Sequence, residues 1–383
     1  VLPFDPDALQ RSLLAANVKS ADLFIEADNK YRQRFGSSQA CIDYTTLLLT
    51  AASEVYRRDL GARLNIPNGY LRVWTTTPPW GVITTFGDIS NVRSYWTSLG
   101  NPNRSLPRAA VHVLTYPVFG GVAYNIGGIC QNSQGYEVSS VFGHFPYPVD
   151  HTNNDNWDLF VVAHELGHSF GCVHSFDFAP PIDCQDGSGP DSGTIMSYCH
   201  QTFGTGGVGM RFHLREQQRI RTYMDTASCL ATTVLLAGDY DMDGALDPDD
   251  LVAANGILVQ GFRSLGAEQT LDMDGDADFD VADRDLLAAS LAPPASATPR
   301  NGSGVNPQCL LGFTNPLLGS TWEPQVVASG IGHPTLLWFY SAPQVGLGTA
   351  FGELLVGGAR IVALSAPSDG LAATYHVAIP NDA

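Results

Sequence analysis

Residues 164–174 read His-Glu-Leu-Gly-His-Ser-Phe-Gly-Cys-Val-His. Histidines four apart on a helix project from one face, one turn apart. His164 and His168 can therefore reach one metal ion, with ring nitrogens about 2.0–2.1 Å from it. Glu165 neighbours a ligand but is turned about 100° around the helix, so its carboxylate can meet a water on the metal without binding the ion. Gly171 decides where the third histidine goes. A continuing helix would carry His174 away, whereas a glycine at positive φ ends the helix and returns His174 to the same ion. Three neutral nitrogens and a water make an open tetrahedral site, the catalytic rather than the structural zinc pattern. Zinc then activates the water, and Glu165 is the expected general base. The alternative is a buried helix with hydrogen-bonded histidines, and the full spacing speaks against it.

Two further stretches are dense in carboxylates. The first places Asp239, Asp241, Asp243, Asp247 and Asp250 at positions 1, 3, 5, 9 and 12 of a twelve-residue loop, with Gly244 at position 6. The second repeats the register with Asp272, Asp274, Asp276, Asp280 and Asp283, but carries Ala277 at position 6. Crowded carboxylates repel one another, and a hard cation such as Ca²⁺ relieves this through six to eight oxygens. Backbone carbonyls of Ala245 and Asp278, at position 7, would complete the two spheres, and position 9 would act through water. Solvated acidic turns are the plainer alternative. Without a glycine at position 6, the second turn is expected to be the harder one to form.

These residues need elements to hold them. Residues 21–27, 70–75 and 110–115 alternate as strands, 42–60 has helical spacing and stops at Gly61, and 214–224 is a second helix. Residues 157–170 are apolar with helical spacing and are entered through Asn153, Asn154 and Asp155 as candidate caps. The order predicts an α/β domain with a mixed sheet over 1–232. Residues 233–293 hold the acidic repeat, each loop followed by an Ala/Leu-rich helical piece. Residues 294–304 read as a Pro/Ser/Gly linker. Residues 305–383, poor in charge and broken by Gly and Pro, read as a small all-β, sandwich-like module.

The net charge is −18 over 383 residues, which argues against nucleic acid, since a phosphate backbone needs a basic face. No run of about 18 apolar residues offers a membrane span. The chain begins at Val1, which reads as a processed or trimmed product. Seven scattered cysteines without a CxxC pair point to disulfides and an oxidising compartment. The odd count leaves one thiol free or paired outside the chain.

The histidine stretch matches HExxHxxGxxH, and Gly193-Thr-Ile-Met-Ser-Tyr-Cys199 downstream looks like a methionine turn with Met196 as its methionine. Together they resemble the metzincin metallopeptidases, most closely the reprolysin-like (adamalysin-type) proteases, especially bacterial secreted ones. The resemblance covers 1–232 and implies a twisted five-stranded mixed sheet, a long active-site helix and zinc-dependent cleavage of peptide bonds in proteins. It also implies a disulfide between Cys130 and Cys229. Cys184 and Cys199 flank the loop before the methionine turn and are the expected second pair, with Cys172 a competitor for either. Tyr198, two residues after the methionine, stands where astacins and serralysins carry a tyrosine that reaches the zinc; a core tyrosine is the alternative. Reprolysins place Asp after the third histidine, whereas this chain has Ser175.

The acidic pair resembles dockerin-type calcium repeats, which implies a cohesin-like or cell-surface partner, or else a calcium-stapled spacer between protease and C-terminal module. A secreted zinc endopeptidase is the expectation. A calcium-dependent attachment protein on an inactive metzincin scaffold is the rival, and Glu165 speaks against it because inactive relatives commonly lose the base or a ligand. The motif alone also allows a zinc hydrolase acting on a non-peptide ester or amide.

Overall fold

The computed structural model describes residues 16–150, 153–182, 184, 193–261 and 263–291, with the backbone of seven strands between 310 and 378. The chain divides into two units, 1–287 and 288–383.

The first unit is built on β1 (Ala16–Ala27), twelve residues long. Then follow α1 (Ser38–Leu60), β2 (Ala62–Asn65), β3 (Leu71–Val73), α2 (Ile89–Thr97), β4 (Ala110–Thr115), β5 (Gly121–Ala123) and β6 (Tyr136–Ser140). After them come α3 (Trp157–Ser169), α4 (Leu214–Thr226), β7 (Ala231–Leu235), α5 (Pro248–Gln260), α6 (Leu265–Leu271) and α7 (Val281–Leu291). The sheet is mixed, with the order β2-β1-β4-β6-β5; β3 and β7 also pair with β1. It thus has seven strands, where five were expected. The reason is the length of β1, which serves different partners along each half. Residues 16–22 pair with β2 and antiparallel β7, and residues 23–27 pair with β3 and β4.

Alternation along β1 sorts the two faces of the sheet. Leu23, Ile25 and Ala27 join the core with α1 and α3, while Phe24 turns to the other face against Trp96 of α2, ring centroids 4.6 Å apart. Helix α1 starts at Ser37, whose hydroxyl accepts from the Ala40 N–H, and stops at Gly61 with φ +63. All thirteen residues of α3 are buried, which is why its sequence is apolar around most of its circumference. Its N-cap is Asn156 and not one of the three preceding residues; Asn153 spends its side-chain oxygen on the Asp155 N–H.

In the second unit the described strands include a long antiparallel hairpin, Thr335–Thr349 with Gly352–Ala366. The linker at 294–304 lies outside the described residues.

Candidate metal centre

His164 and His168 stand one turn apart on α3. The Nδ1 of His164 lies 2.6 Å from the Ile195 carbonyl oxygen, and that of His168 lies 2.8 Å from the Cys172 carbonyl oxygen. A carbonyl only accepts, so each Nδ1 carries the proton and each Nε2 keeps its lone pair. Gly171, at φ +92, turns the chain back. No side chain would fit there, because a Cβ would meet the Tyr223 ring at 2.7 Å. His174 then brings its Nε2 to 3.1 Å from that of His168. One ligand atom from each of the three histidines lies within 4.8 Å of the others. Two ring nitrogens at this separation match the edge of a tetrahedron with bonds of about 2.0–2.1 Å. Burial pushes all three histidines below their usual pKa, His168 to about 4, so they stand neutral, as metal ligands must. The donor set fits a zinc ion.

The floor of this site is apolar. Gly167, between the two helical histidines, rests on Met196 and Phe212: a Cβ there would meet Met196 Sδ at 2.5 Å and Phe212 Cε1 at 3.2 Å. Glu165 leaves the helix toward the edge strand β5, facing Gly121 and the Ala123 N–H. Burial raises its carboxyl well above the usual range, and the neighbouring Glu137 charge adds to this. Tyr198 is 42% exposed, with its ring 4.6 Å from that of His174 and 6.1 Å from that of His164. The ring thus stands partly exposed beside the two histidines and not in the core. Phe176 stacks on His174 from another side, at 4.9 Å.

Two groups of buried carboxylates support the site, and neither follows from the sequence motifs. Glu216 on α4 accepts from Ser175 Oγ at 2.6 Å, Thr194 Oγ1 at 3.1 Å and the His213 N–H at 2.8 Å. It thereby ties the residue after His174 to the segment before Met196, so the carboxylate absent at position 175 reaches the site from a helix. The sequence does carry one trace of it. Glu216 falls three residues after His213, in capping-box spacing. Behind α3, His112 of β4 and Glu137 of β6 are register partners, with Nδ1 and Oε2 3.9 Å apart, and Ser169 of α3 faces the Glu137 carboxylate. Burial pushes Glu137 up to about 8 and His112 down to about 3.

Disulfides join Cys130 to Cys229 and Cys184 to Cys199. Cys41 and Cys172 are buried free thiols, and Cys309 lies outside the described residues.

In the first acidic loop, Asp239, Asp241 and Asp243 converge. Asp239 is 1% exposed, and its carboxylate faces the N–H groups of Met242 and Gly244. In the second loop two sets gather, Asp272 with Asp274 and Asp276, and Asp278 with Asp280 and Asp283. The Asp272 carboxylate accepts from the Gly275 and Ala277 N–H groups. Position 12 is used in the same way in both loops. Asp250 accepts from the N–H groups of Tyr240, Asp241 and Asp247, and Asp283 from those of Met273, Asp274 and Asp280. Position 9 of the first loop, Asp247, is the N-cap of α5. Ala245 donates its N–H to Asp243. Both loops need left-handed residues at positions 4 and 6: Met242 and Gly244 in the first, Gly275 and Ala277 in the second. The second loop therefore does make its turn without a glycine at position 6, by placing alanine at φ +71.

A reprolysin-type family model, described as metallo-peptidase family M12, matches residues 17–212. Among solved structures, the chain is similar to one titled "Structure of a chaperone-substrate complex", at 15% identity and a TM-score of 0.35. The likeness covers 55% of this chain and 35% of that one, so the chain spans about a third of the length of the structure it matches. No curated protein matches the chain.

Proposed function

The chain belongs to metallo-peptidase family M12, and from that premise we propose that it is a secreted zinc endopeptidase that hydrolyses peptide bonds in proteins. The observation that carries this reading is the convergence of the His164, His168 and His174 nitrogens at a buried helix that also carries Glu165. Zinc held by those three nitrogens would supply Lewis acidity to a scissile carbonyl and to water. Glu165 takes a proton from the attacking water at a carboxylate oxygen and passes it to the leaving amine nitrogen. Tyr198, at the open side of the histidines, donates its phenolic O–H to the developing oxyanion. An extended peptide aligns along the edge strand β5, whose backbone runs past Glu165.

Secretion is supported by the two disulfides. The acidic loops are read as calcium sites, supported by the burial of the Asp239 carboxylate and by the gathering of the aspartates in both loops. In the first loop, Asp239, Asp241 and Asp243 are the principal ligands. In both loops, the position-12 aspartate braces the loop backbone.

The deciding experiment is Glu165→Ala. Zinc content and fold should be retained, and cleavage of a denatured protein substrate should fall by several orders of magnitude. Cleavage at the wild-type rate, or insensitivity of the wild type to zinc chelation, would sink this reading.

A further inference from the structure

The floor of the metal site is held from outside the region that carries the zinc motif. Phe212 supports Gly167 and packs edge-on against Tyr56, centroids 5.3 Å apart. Two buried side chains grip its backbone. Asp59 accepts the Phe212 N–H at 2.8 Å. Gln217 donates to the Phe212 carbonyl at 2.8 Å.

Both side chains also hold the start of α6, the helix between the two acidic loops. Asp59 Oδ1 accepts from Ser264 Oγ at 3.2 Å. Gln217 Oε1 accepts the Leu265 N–H at 2.9 Å, and its Nε2 reaches the Arg263 carbonyl at 3.1 Å. Arg58 repeats the pattern. It pairs with Asp59 at 2.6 Å, donates to the Met210 carbonyl at 2.7 Å and reaches Gln260, the last residue of α5, at 3.2 Å.

We propose that Asp59 and Gln217 are positioning residues of the zinc site, through which the seating of α6 sets the place of Phe212 beneath the metal-binding helix. The proposal rests on the reading of the three histidines as a zinc site. Its physical basis is that buried polar groups must find partners. With α6 seated, Asp59 and Gln217 have all their bonds directed and hold Phe212 from both sides. With α6 displaced, Gln217 loses the Leu265 N–H and the Arg263 carbonyl and must turn to recover partners, Asp59 keeps Arg58 but loses Ser264, and the close-packed floor passes the shift to Gly167 and Met196. Helix α6 sits hard against the end of α1. A Cβ on Gly266 would lie 2.2 Å from the Arg57 carbonyl oxygen and 2.3 Å from the Gly61 nitrogen. Both are backbone atoms in a buried turn, so they cannot give way. Gly266 is therefore a lever that unseats α6 without touching any residue at the metal.

The test uses the full chain with cobalt(II) or zinc as the probe. In Gly266→Ala the cobalt absorption bands should shift, and metal should leave to a chelator about tenfold faster, within the range seen when supporting partners of metal ligands are removed. Turnover should fall about tenfold with KM within about twofold, because the substrate groove is untouched. Asp59→Asn combined with Gly266→Ala should be no worse than the more severe single change, since both act through Phe212. Wild-type cobalt bands and metal release in Gly266→Ala, or losses that simply add, would overturn the proposal. Should Gly266→Ala not fold, Ser264→Ala removes only the hydroxyl on Asp59 and is read by the same measurements. If the wild-type chain itself takes up neither zinc nor cobalt, the zinc reading fails first. Metal uptake in the wild type with no response in the variants overturns this inference alone.

Discussion

Gly121 on the edge strand lies so close to Glu165 that a Cβ on it would stand 2.5 Å from the carboxylate Oε1 and 2.6 Å from Cγ. The glycine is thus the space into which Glu165, the proposed general base, extends. Gly121→Ala should push the carboxylate off its line to the metal while leaving the histidines in place. A displacement of about 1 Å in a reacting group can cost about a hundredfold. Turnover should accordingly fall by ten- to a hundredfold at unchanged zinc content. Steady-state kinetics with metal analysis checks this, and full activity would mean that Glu165 has room elsewhere.

Tyr198→Phe keeps the ring beside His174 and removes only the phenolic O–H. An oxyanion donor is worth about 2.7–4 kcal/mol of barrier, so turnover should drop about a hundredfold or more while zinc is retained. A variant as fast as wild type would assign the ring to packing alone.

Much of the metal centre was legible in the sequence because its rule is local. Four residues separate two ligands on one helix face, and Gly171 announces the turn that returns the third. The supports were less legible, since what each one touches does not follow from a local spacing rule. Gly121 is one glycine among 39 until the strand is placed beside α3. Glu216 reaches Ser175 across 41 positions. His112 and Glu137 meet only because β4 and β6 are in register. The strand count went astray for a similar reason. Composition marks β1 as a strand, but pairing with four partners depends on where distant segments return.

The pair His112 and Glu137 gives a pH signature. Glu137 has its folded pKa raised from 4.5 to about 8, so the folded state binds more protons. Its contribution to stability is complete below pH 4.5 and is lost as pH rises toward 8. His112 is lowered from 6.5 to about 3, so its contribution grows as pH rises to 6.5. The slopes oppose one another between pH 4.5 and 6.5 and leave a net loss from 6.5 to 8, of at most about 2 kcal/mol at 1.36 kcal/mol per unit. Glu26 and Glu216, each raised to about 7 by burial, slope the same way as Glu137, so the comparison must be made against a variant. Denaturant unfolding of zinc-loaded protein at pH 6.5 and 8 should show a smaller loss in Glu137→Gln than in wild type. Equal losses would place the effect in other groups.

Removing calcium with a selective chelator should open 236–292 to limited proteolysis, and Asp239→Asn should weaken the first loop most, since its carboxylate is the most deeply buried of the three that converge. Protection that ignores calcium would return the loops to plain acidic turns. Ala277→Gly should have the opposite sense. A non-glycine residue in the left-handed region costs roughly 1–2 kcal/mol, and Ala277 sits there at φ +71. Relieving it should raise the calcium affinity of the second loop by a few-fold in a calorimetric titration. Unchanged or weaker binding would show that the loop does not feel the strain.

The antiparallel pairing of β7 with the first half of β1 has a practical consequence for anyone isolating the catalytic unit. Val18 is fully buried, and the strand that covers it is Ala231–Leu235. A chain cut after the disulfide at Cys229 would keep His164, His168 and His174 and lose that cover. It would bare a row of unpaired backbone groups along the first half of β1, a template for edge-to-edge aggregation. Insolubility of such a fragment would report a missing strand and not a failed active site. The smallest well-behaved piece must run past Leu235, and to keep Asp59 and Gln217 satisfied it must continue through Leu271.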